Sequence, residues 1–551
     1  MKLSLTMDYA HVGPECTSAT RITALMKRAL LTIALIVAAA SCSTPRATND
    51  NVAATAEPVP DIFPSVPEVR AVHGVAKVEL YVVLDPMTGN ATFVYGASRG
   101  VAPTIRVHPG DLIDLTVHDL AHRTKGRANA VNIHFHGLTV APTPPGDDVV
   151  TTLAQPDQTL HYRVRIPRNH EPGLYWYHPH PHGESYYQVL AGMSGALIVE
   201  GLQEHLPALR AMRERVILLR DVPTSANYVD DDMPMNGMVA HNRKLPVARV
   251  ARNGKACRPE VGLSPTLNRQ PRAKIAIRPG ERQFFRVVNA SASRYFDLSI
   301  DGATLDLVAR DGVPLDAYPG TPPELVVHHL LLPPAGRAEF VVTAPNHPTV
   351  LRSACVDTGR AGDADPPAIL ADLDQAAHFL GLASNAANVA VAHPAEALAV
   401  GAPLPRNWYA RPLPAPAVHR TVRLSEDDHA FAINGKAFTM RDMHGPPAIV
   451  ARSGTVEEWT VVNDTDEIHA FHIHQVHFVN EMVDGVRAVP PAWLDTVNVP
   501  AQRRLGAGRI VPGRVRILVD FRDPVVRGEF MFHCHILDHE DNGMMATIRV
   551  I

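Results

Sequence analysis

The sequence predicts an all-β protein in which one barrel or sandwich occurs three times. Three observations lead to this fold class. Short apolar runs are broken by Gly, Pro and Asn, with 35 Gly and 48 Pro among 551 residues, and long helical periodicity is nearly absent. A glycine turn followed by an alternating strand occurs three times along the chain. Two of these three copies also share a segment rich in histidine.

The repeated strand segment sets the length of the repeat. Gly110, Gly280 and Gly454 each lead into a polar stretch and then a strand of alternating β-branched or aromatic residues, as in 281–289 and 455–463. The three glycines lie 170 and 174 residues apart, which is about the size of one domain. The spacing therefore predicts three consecutive copies of one β domain.

We place the domain boundaries from these copies. The first domain covers 69–202, the second 203–358 and the third 421–551. A connector rich in Pro and Ala covers 359–420. Residues 1–68 form a leader followed by a flexible tether.

The leader resembles an export signal. A basic start at Met26 precedes the apolar run 29–40, which is shorter than the ~20 residues needed to cross a bilayer but typical of a signal peptide. Small residues before Cys42 resemble a bacterial lipobox with Cys42 as the lipidated first residue; cleavage near Ala40 is the alternative. Residues 1–25 precede this more convincing start. We expect an exported, periplasmic or outer-surface protein, tethered to the membrane where Cys42 is lipidated.

Composition excludes some partners and leaves the histidines to be explained. The chain has a net charge of −4, with 46% hydrophobic and 20% charged residues. This composition is typical of a soluble globular protein and gives no electrostatic reason to expect nucleic acid as a partner. The chain has 29 His. Cys257 and Cys355 form a disulfide or stay apart, since sequence does not give their separation. Cys534 lies between two histidines.

Four His-x-His pairs occur at matched positions in the first and third copies, and the second copy has none. Alternate residues of a strand share a face, so each pair aims two imidazoles at one point. Eight imidazoles meeting between two barrels suit a copper cluster better than calcium or magnesium, and a zinc site needs only four. A solvated surface strand explains one such pair but not four. The pairs are His134 and His136, His178 and His180, His472 and His474, and His533 and His535.

The register of the second pair has an alternative, because His182 continues the same alternation. Gly173 precedes His178 by five residues, as Gly528 precedes His533. This shared offset favours His178 and His180 over the register that includes His182.

A second metal site is predicted around Cys534. His539 and Met544 follow it by five and ten residues, and His469 is the candidate for the second histidine. Two histidines, one thiolate and a weak axial thioether make a blue copper centre. A merely buried thiol does not explain why both neighbours of Cys534 are histidines. Covalent adjacency would connect a one-electron acceptor to a multi-electron site.

These motifs resemble the multicopper oxidases, the family of laccases, ascorbate oxidase, ferroxidases and bacterial cuprous oxidases. The resemblance covers about 75–551 and implies three cupredoxin-like Greek-key β-barrel domains with four copper ions. Ala470 replaces the usual proline and Phe135 the usual tryptophan, and neither change removes a ligand. The implied ligands are His469, Cys534, His539 and axial Met544 for type 1 copper, His134 and His472 for type 2, and His136, His178, His535, His180, His474 and His533 for the type 3 pair.

The resemblance implies an oxidase that couples four one-electron oxidations to the reduction of dioxygen to water. That reaction consumes protons, so Glu540, or Asp147 and Asp148, are candidate relay groups, although loop carboxylates are often only solvated. The expected donor is a phenol or aromatic amine, with cuprous or ferrous ion as the alternative. A copper-binding protein without turnover is the competing class. Soft Cu(I) sites are suggested by Met233, Met235 and Met238, and by Met440, Met443 and His444.

Overall fold

The computed structural model describes residues 62–86, 89–122, 129–223, 262–359, 364–374, 398–404, 409, 411–427 and 430–551. Strands dominate these residues, and no helix among them has the length and apolar character needed to cross a membrane. The all-β prediction is confirmed. The described helices are Ser185–Leu190, Leu202–His205 and Leu537–Asp541, with 3-10 turns at Pro207–Ala211, Leu315–Ala317, Asp442–His444, Gly506–Gly508 and Pro524–Val526.

The first barrel is made of two sheets that enclose one apolar core. Leu80 and Val117 of one sheet pack in the same buried cluster as Ile105 and Leu197 of the other. One sheet has the order Glu68–Arg70, Thr104–Val107, Gly195–Val199, Gly173–Tyr177; the other has the order Ser98–Arg99, Ala91–Tyr95, Val75–Leu84, Leu112–Asp119, Thr159–Arg165.

The second barrel repeats this plan. Phe285 and Phe340 of its larger sheet pack against Leu298 and Leu351 of the smaller one. The larger sheet has the order Leu263–Leu267, Arg213–Pro223, Arg282–Asn289, Arg337–Thr343, Leu305–Arg310, Val313–Pro314, with Leu325–Val327 beside Leu305–Arg310; the smaller has the order Ala273–Ala276, Ala368–Asp374, Thr349–Ala354, Phe296–Ile300, Leu330–Leu332.

The third barrel has the same two sheets and an added hairpin. Trp459 and Ile517 share its core with Phe471 and Phe532. The larger sheet has the order Phe431–Ile433, Val418–Glu426, Val456–Asn463, Gly513–Asp520, Phe478–Val483, Val486–Arg487, with Trp493–Leu494 beside Phe478–Val483; the smaller has the order Ile449–Ala451, Met545–Val550, Gly528–Cys534, His469–Ile473, Thr496–Val499; the hairpin is Arg503–Arg504 with Ile510–Val511.

The repeated glycine turns occupy equivalent places in the three barrels. Gly110, Gly280 and Gly454 have φ of 97°, 73° and 86°, a region in which glycine is favoured because it has no Cβ. The strand that follows each turn pairs in parallel with the first long strand of its own barrel. The prediction of a threefold repeat is therefore confirmed at the level of strand pairing.

Two of the predicted domain boundaries differ from those in the structure. The strand Ala368–Asp374 lies in the predicted connector 359–420, yet it pairs with Thr349–Ala354 and Ala273–Ala276, so the second barrel continues beyond 358 to Asp374. The sequence analysis missed this strand because the segment around it is rich in Pro and Ala.

The predicted tether also ends earlier than residue 68. Phe63 packs against the core of the second barrel, and the Asn268 side chain donates a hydrogen bond to the Pro64 carbonyl at 2.8 Å. Glu68 already belongs to a strand of the first barrel. The leader, Cys42 and Cys257 lie outside the described residues, so export, lipidation and the pairing of Cys257 with Cys355 stay predictions.

Candidate metal centres

The strand Gly528–Cys534 divides its side chains between two environments. Phe530, Phe532 and Cys534 point into the core of the third barrel. Met531 lies on the opposite face and packs with Val149 of the first barrel. Because side chains alternate along a strand, the thiol of Cys534 lies inside one barrel while the neighbouring histidines face the seam between two barrels.

The neighbouring strand His469–Ile473 repeats this division in register. Phe471 is paired with Cys534, and His472 is paired with His533. His469 shares the inward face with Phe471, whereas His472 shares the seam face with His533. His469 and His472 are three positions apart, so they lie on opposite faces of the strand. They therefore belong to two different candidate metal sites.

The paired histidines of the first barrel lie at strand ends and in turns. His134 and His178 form an isolated bridge, with backbone N–H to carbonyl distances of 2.8 and 3.1 Å, and the strand Gly173–Tyr177 ends just before His178. Our assumption that each His-x-His pair lies within a strand is therefore wrong for this barrel, and in the third barrel the strands His469–Ile473 and Gly528–Cys534 end one residue before the second histidine of each pair. The chain still alternates locally, and the bridge holds both pairs side by side.

The glycines five residues before His178 and His533 lie where another barrel approaches. A Cβ on Gly173 would lie 2.6 Å from the Gly312 carbonyl carbon of the second barrel. Gly528 has φ of 142°, and a Cβ there would lie 2.8 Å from the Pro142 ring of the first barrel. The shared offset between glycine and histidine thus reflects close contact between barrels.

Eight histidines from the first and third barrels meet at one seam, and we call them the histidine cluster. The His134 ring stacks on His474 at 3.7 Å between centroids, and His136 stacks on His472 at 3.9 Å. Both stacks join the two barrels. The cluster consists of His134, His136, His178, His180, His472, His474, His533 and His535, all with 0% exposure.

Within the cluster, His533 lies close to His180 and His474, and His535 lies close to His136 and His178. The Nε2 atom of His533 lies 3.2 Å from Nε2 of both His180 and His474. The His535 ring lies 5.0 Å from His136 and 5.2 Å from His178. His182 lies apart from these groups and packs edge-on against Phe438, so the register with His178 and His180 is the one at the seam.

The chemistry of the cluster fits soft or borderline metal ions. Burial lowers the imidazole pKa, to about 4 for His180, so these rings are neutral at pH 7. The rings are those of His134, His136, His178, His180, His472, His474 and His535. Several ring nitrogens are buried with no hydrogen-bond partner among the described residues, which is costly unless they bind a metal. These nitrogens are His134 Nε2, His136 Nδ1, His178 Nε2, His180 Nδ1, His472 Nε2, His474 Nδ1 and both of His535.

A second, smaller group surrounds Cys534. Its Sγ atom lies 3.6 Å from His469 Nδ1 and 3.8 Å from His539 Nδ1, and the two Nδ1 atoms are 3.1 Å apart. Met544 is fully buried in the same core, and its carbonyl accepts the Cys534 N–H at 3.0 Å. Three ligand atoms of these types at these distances could hold one copper ion.

The outer nitrogens of this group are held by side chains that the sequence analysis missed. Thr465 Oγ1 lies 2.8 Å from His469 Nε2, and Glu467 Oε1 lies 3.2 Å from His539 Nε2. Such contacts orient the rings so that both Nδ1 atoms face the sulfur. Burial raises the pKa of the Cys534 thiol, so a metal must displace its proton. Glu467 lies two residues before His469, a proximity that could have identified it.

The three predicted relay carboxylates differ in their surroundings. Glu540 is fully buried, with Oε2 3.0 Å from His533 Nδ1 and Oε1 3.6 Å from His180 Nε2. Asp147 Oδ2 lies 3.0 Å from His134 Nδ1, and burial raises the Asp147 pKa to about 7. Asp148 instead accepts hydrogen bonds from its own loop, including the N–H groups of residues 150 and 151. Only two of the three carboxylates therefore contact the cluster.

The helix that carries Glu540 docks on the first barrel. Asp541 accepts the N–H groups of Gly183 and Tyr186 at 2.8 and 2.9 Å, and Leu537 packs in a cluster with Tyr186. Contacts from the first barrel thus fix the position of Glu540, which directly follows the proposed ligand His539 of the third barrel.

Asp495 was not predicted, although it touches the cluster. Its Oδ1 atom lies 3.2 Å from His136 Nε2, and its carbonyl lies 2.8 Å from His472 Nδ1. Arg337 of the second barrel pairs with this carboxylate. Burial opposes ionisation of Asp495, but the Arg337 guanidinium brings the Asp495 pKa below its usual value. No local sequence signal marks either residue.

The suggested methionine sites gain no support. Met443 is buried in an apolar cluster with Phe438, whereas Met440 and His444 are exposed. Met233, Met235 and Met238 lie outside the described residues.

Comparisons with known proteins agree with this geometry. Three sequence models, all described as multicopper oxidase, match residues 83–204, 225–358 and 411–551. The chain is 23% identical over 467 residues to a multicopper oxidase from Staphylococcus aureus, covering 82% of each chain. It is 23% identical over 475 residues to a laccase from Bacillus subtilis, covering 80% of this chain and 83% of the laccase.

A solved structure shares the fold. The multicopper oxidase from Campylobacter jejuni, described as a metallo-oxidase, superposes with a TM-score of 0.65 at 23% identity, covering 90% of this chain and 96% of that one. The resemblance drawn from the histidine motifs and the prediction of three cupredoxin-like domains are confirmed. The chain belongs to the multicopper oxidase family and is a copper-dependent oxidoreductase that uses dioxygen.

Proposed function

We propose that the protein couples four one-electron oxidations of a reducing substrate to the four-electron reduction of dioxygen to water. One observation carries this proposal. Cys534 belongs to the mononuclear group inside the third barrel, while His533 and His535, its covalent neighbours, belong to the cluster at the seam. A copper-binding protein without turnover would not need this covalent connection.

We assign four copper ions to these groups. Copper bound here would supply one-electron redox chemistry and a site at which dioxygen is reduced. The chain keeps the imidazoles neutral, excludes bulk water by burial and orients the outer ring nitrogens. The proposed ligands are His469, Cys534, His539 and Met544 for type 1 copper, His134 and His472 for type 2, His136, His178 and His535 for one type 3 ion, and His180, His474 and His533 for the other.

Glu540 is the proposed relay group that passes protons to the cluster, with Asp147 as a second group. For Glu540→Gln we expect oxygen-dependent turnover to fall on the order of 10²-fold, because a positioned acid typically contributes that much. Anaerobic bleaching of the blue band by the donor should stay at the wild-type rate, since Glu540 does not contact Cys534. Stopped-flow absorbance and an oxygen electrode measure the two steps. Asp148→Asn is the matched control, and an equal loss of turnover in that variant would refute the assignment.

The electron donor is proposed to approach His539, where Glu467 and Phe431 surround the ring. Phe431 stacks on His539 at 4.2 Å between centroids. Glu426 hydrogen-bonds Glu467, and burial raises the pKa of Glu426. A carboxylate here can accept the proton that a phenol loses on oxidation. The same oxygen atoms can bind a cuprous or ferrous ion, which makes metal-ion oxidation the second candidate function.

A copper-loaded sample tests both donors. We expect a blue thiolate absorption band. Oxygen consumption is then measured side by side with a phenol and with Cu(I) as the electron donor. Glu467→Gln should lower turnover about 10-fold or more, because this carboxylate holds a ligand histidine and meets the donor. If the protein is laccase-like, it should turn over the phenol faster; if it is a metal-ion oxidase, it should turn over Cu(I) faster. Glu204→Gln, on an exposed surface pair, is the control. A fully metallated protein that never consumes oxygen would contradict the oxidase itself.

Export and membrane tethering through Cys42 complete the proposal. Their support is the apolar run 29–40 and the small residues before Cys42. An exported location would place the enzyme where copper and oxidisable substrates are met outside the cytoplasm.

A further inference from the structure

Asp495 is a shared partner of two histidines that the cluster takes from different barrels. Its carboxylate oxygen Oδ1 lies 3.2 Å from His136 Nε2, and its carbonyl oxygen lies 2.8 Å from His472 Nδ1. The two imidazole rings are stacked on each other at 3.9 Å between centroids. The remaining nitrogens, His136 Nδ1 and His472 Nε2, are buried without a hydrogen-bond partner among the described residues. Asp495 therefore contacts each ring at the nitrogen that is not left for a metal.

These contacts decide which nitrogen of each ring carries the hydrogen. A neutral imidazole has one N–H group and one lone pair, and a metal binds the lone pair. A backbone carbonyl only accepts, so the hydrogen of His472 lies on Nδ1. A carboxylate that is paired with a guanidinium also only accepts, so the hydrogen of His136 lies on Nε2. The lone pairs are then on His136 Nδ1 and His472 Nε2, which are the two nitrogens without a partner.

The Asp495 carboxylate is held in one orientation. Arg337 Nη1 donates to Oδ1 at 2.6 Å, and Arg337 Nη2 donates to Oδ2 at 2.5 Å. Thr496 Oγ1 also donates to Oδ1, at 2.9 Å. The two parallel contacts need the planar fork of arginine, since lysine offers a single point of charge. Oδ1 therefore stays directed at His136.

The second barrel fixes Arg337 in place. Arg337 Nη2 also donates to the Asp311 carbonyl at 2.8 Å, and the Arg337 N–H donates to the Asp311 carboxylate at 2.8 Å. The Asp311 carboxylate also accepts the N–H of Asp495 at 3.2 Å. Gly137 makes room for the pair, because a Cβ there would lie 2.6 Å from Asp495 Oδ2. All three barrels therefore meet at this carboxylate.

We propose that Asp495 is a positioning residue whose carboxylate, held by Arg337, keeps the hydrogen of His136 on Nε2 and so presents Nδ1 to copper. Asp495 acts through the ring of His136 and is not itself a ligand. The second barrel, which supplies no paired histidine, thus takes part in shaping the cluster. This inference rests on the proposed function, because it assumes that copper occupies the cluster.

The position of the hydrogen can be read without copper. Nitrogen NMR of the copper-free protein with isotope-labelled histidine distinguishes the two neutral forms of an imidazole, and the resonances that disappear in His136→Gln identify this ring. We expect the hydrogen of His136 on Nε2. A hydrogen on Nδ1 of His136 would overturn the proposal, whether or not the protein binds copper.

The double variant Asp495→Leu with Arg337→Met removes the carboxylate. Both partners become apolar, so no unpaired buried charge is left to unfold the protein. We expect His136 to become a mixture of the two neutral forms, because its Nε2 hydrogen loses the acceptor. His472 is the internal control, since the main-chain carbonyl of residue 495 remains. Copper retention by the histidine cluster against a chelator should weaken about 10- to 100-fold, whereas the blue band should persist.

Single arginine variants separate this effect from the loss of any buried ion pair. Arg337→Gln should weaken copper retention, and Arg337→Lys should weaken it less. Arg286→Gln is the matched control and should retain copper as the wild type does, because Arg286 is an equally buried arginine of the same barrel that pairs with Glu339 at 2.5 Å.

Two results with copper would contradict the proposal. One is equal copper retention in the wild type and the double variant, and the other is an equal loss in Arg337→Gln and Arg286→Gln. A wild-type protein that retains no copper would instead defeat the proposed function, and the position of the hydrogen on His136 would then decide this inference by itself.

Discussion

We expect the Cys534→Ser variant to lose its blue absorption and its donor-coupled oxygen consumption, the latter by on the order of 10³-fold or more. A serine hydroxyl is a poor replacement for a thiolate as a copper ligand, and the covalent path from residue 534 to the cluster then begins at an empty site. Absorbance, copper content and oxygen uptake measure the three consequences. Copper content should fall by about one ion in four, because the histidine cluster keeps its own ligands.

The fold should survive this substitution. Serine is close in size to cysteine, and a buried hydroxyl without a partner costs roughly 1–3 kcal/mol. Met531→Leu in the same strand is the control, since Met531 is fully buried but points to the apolar contact with the first barrel. A blue band that persists in Cys534→Ser would mean that another residue supplies the ligand sulfur.

The features that the sequence predicted correctly are encoded locally. The glycine turns need only a positive φ, and the following strands need only alternation. Local alternation also separates Cys534 from His533, because neighbouring side chains of a strand face opposite ways. The family could be predicted because its four histidine motifs are each short and local, and the three-barrel fold because the glycine turn recurs after 170 and 174 residues.

The residues that escaped prediction act over long sequence separations. Asp495 and Arg337 are 158 positions apart and come from different barrels. No sequence pattern around Asp495 indicates that this residue contacts two histidines. Asp147 and Asp148 were indistinguishable in sequence, yet one faces His134 and the other caps its own loop. The connector boundary failed because composition alone does not reveal that 368–374 pairs with strands of the second barrel.

We expect the copper-free protein to melt about 10 °C or more below the copper-loaded protein. Each ion that binds only the folded state adds about 4 kcal/mol at a thousandfold excess over its dissociation constant. In a chain of this size 1 kcal/mol shifts the melting temperature by about 2–4 °C or less. The stabilisation is concentrated at the seam, because unpartnered nitrogens such as His134 Nε2 and His472 Nε2 come from different barrels. Calorimetry of chelated and reloaded samples measures the difference.

The Cys534→Ser variant shows where this stabilisation arises. Its mononuclear group lies within one barrel, so losing that ion should remove only a minor part of the copper-induced rise in melting temperature. Most of the rise should remain, since ions at the seam bind the first and third barrels together. Hydrogen exchange should show the copper-dependent protection in both the Gly173–Tyr177 and the Gly528–Cys534 strands. If copper protected only the third barrel, the histidines at the seam would not be sharing metal across it.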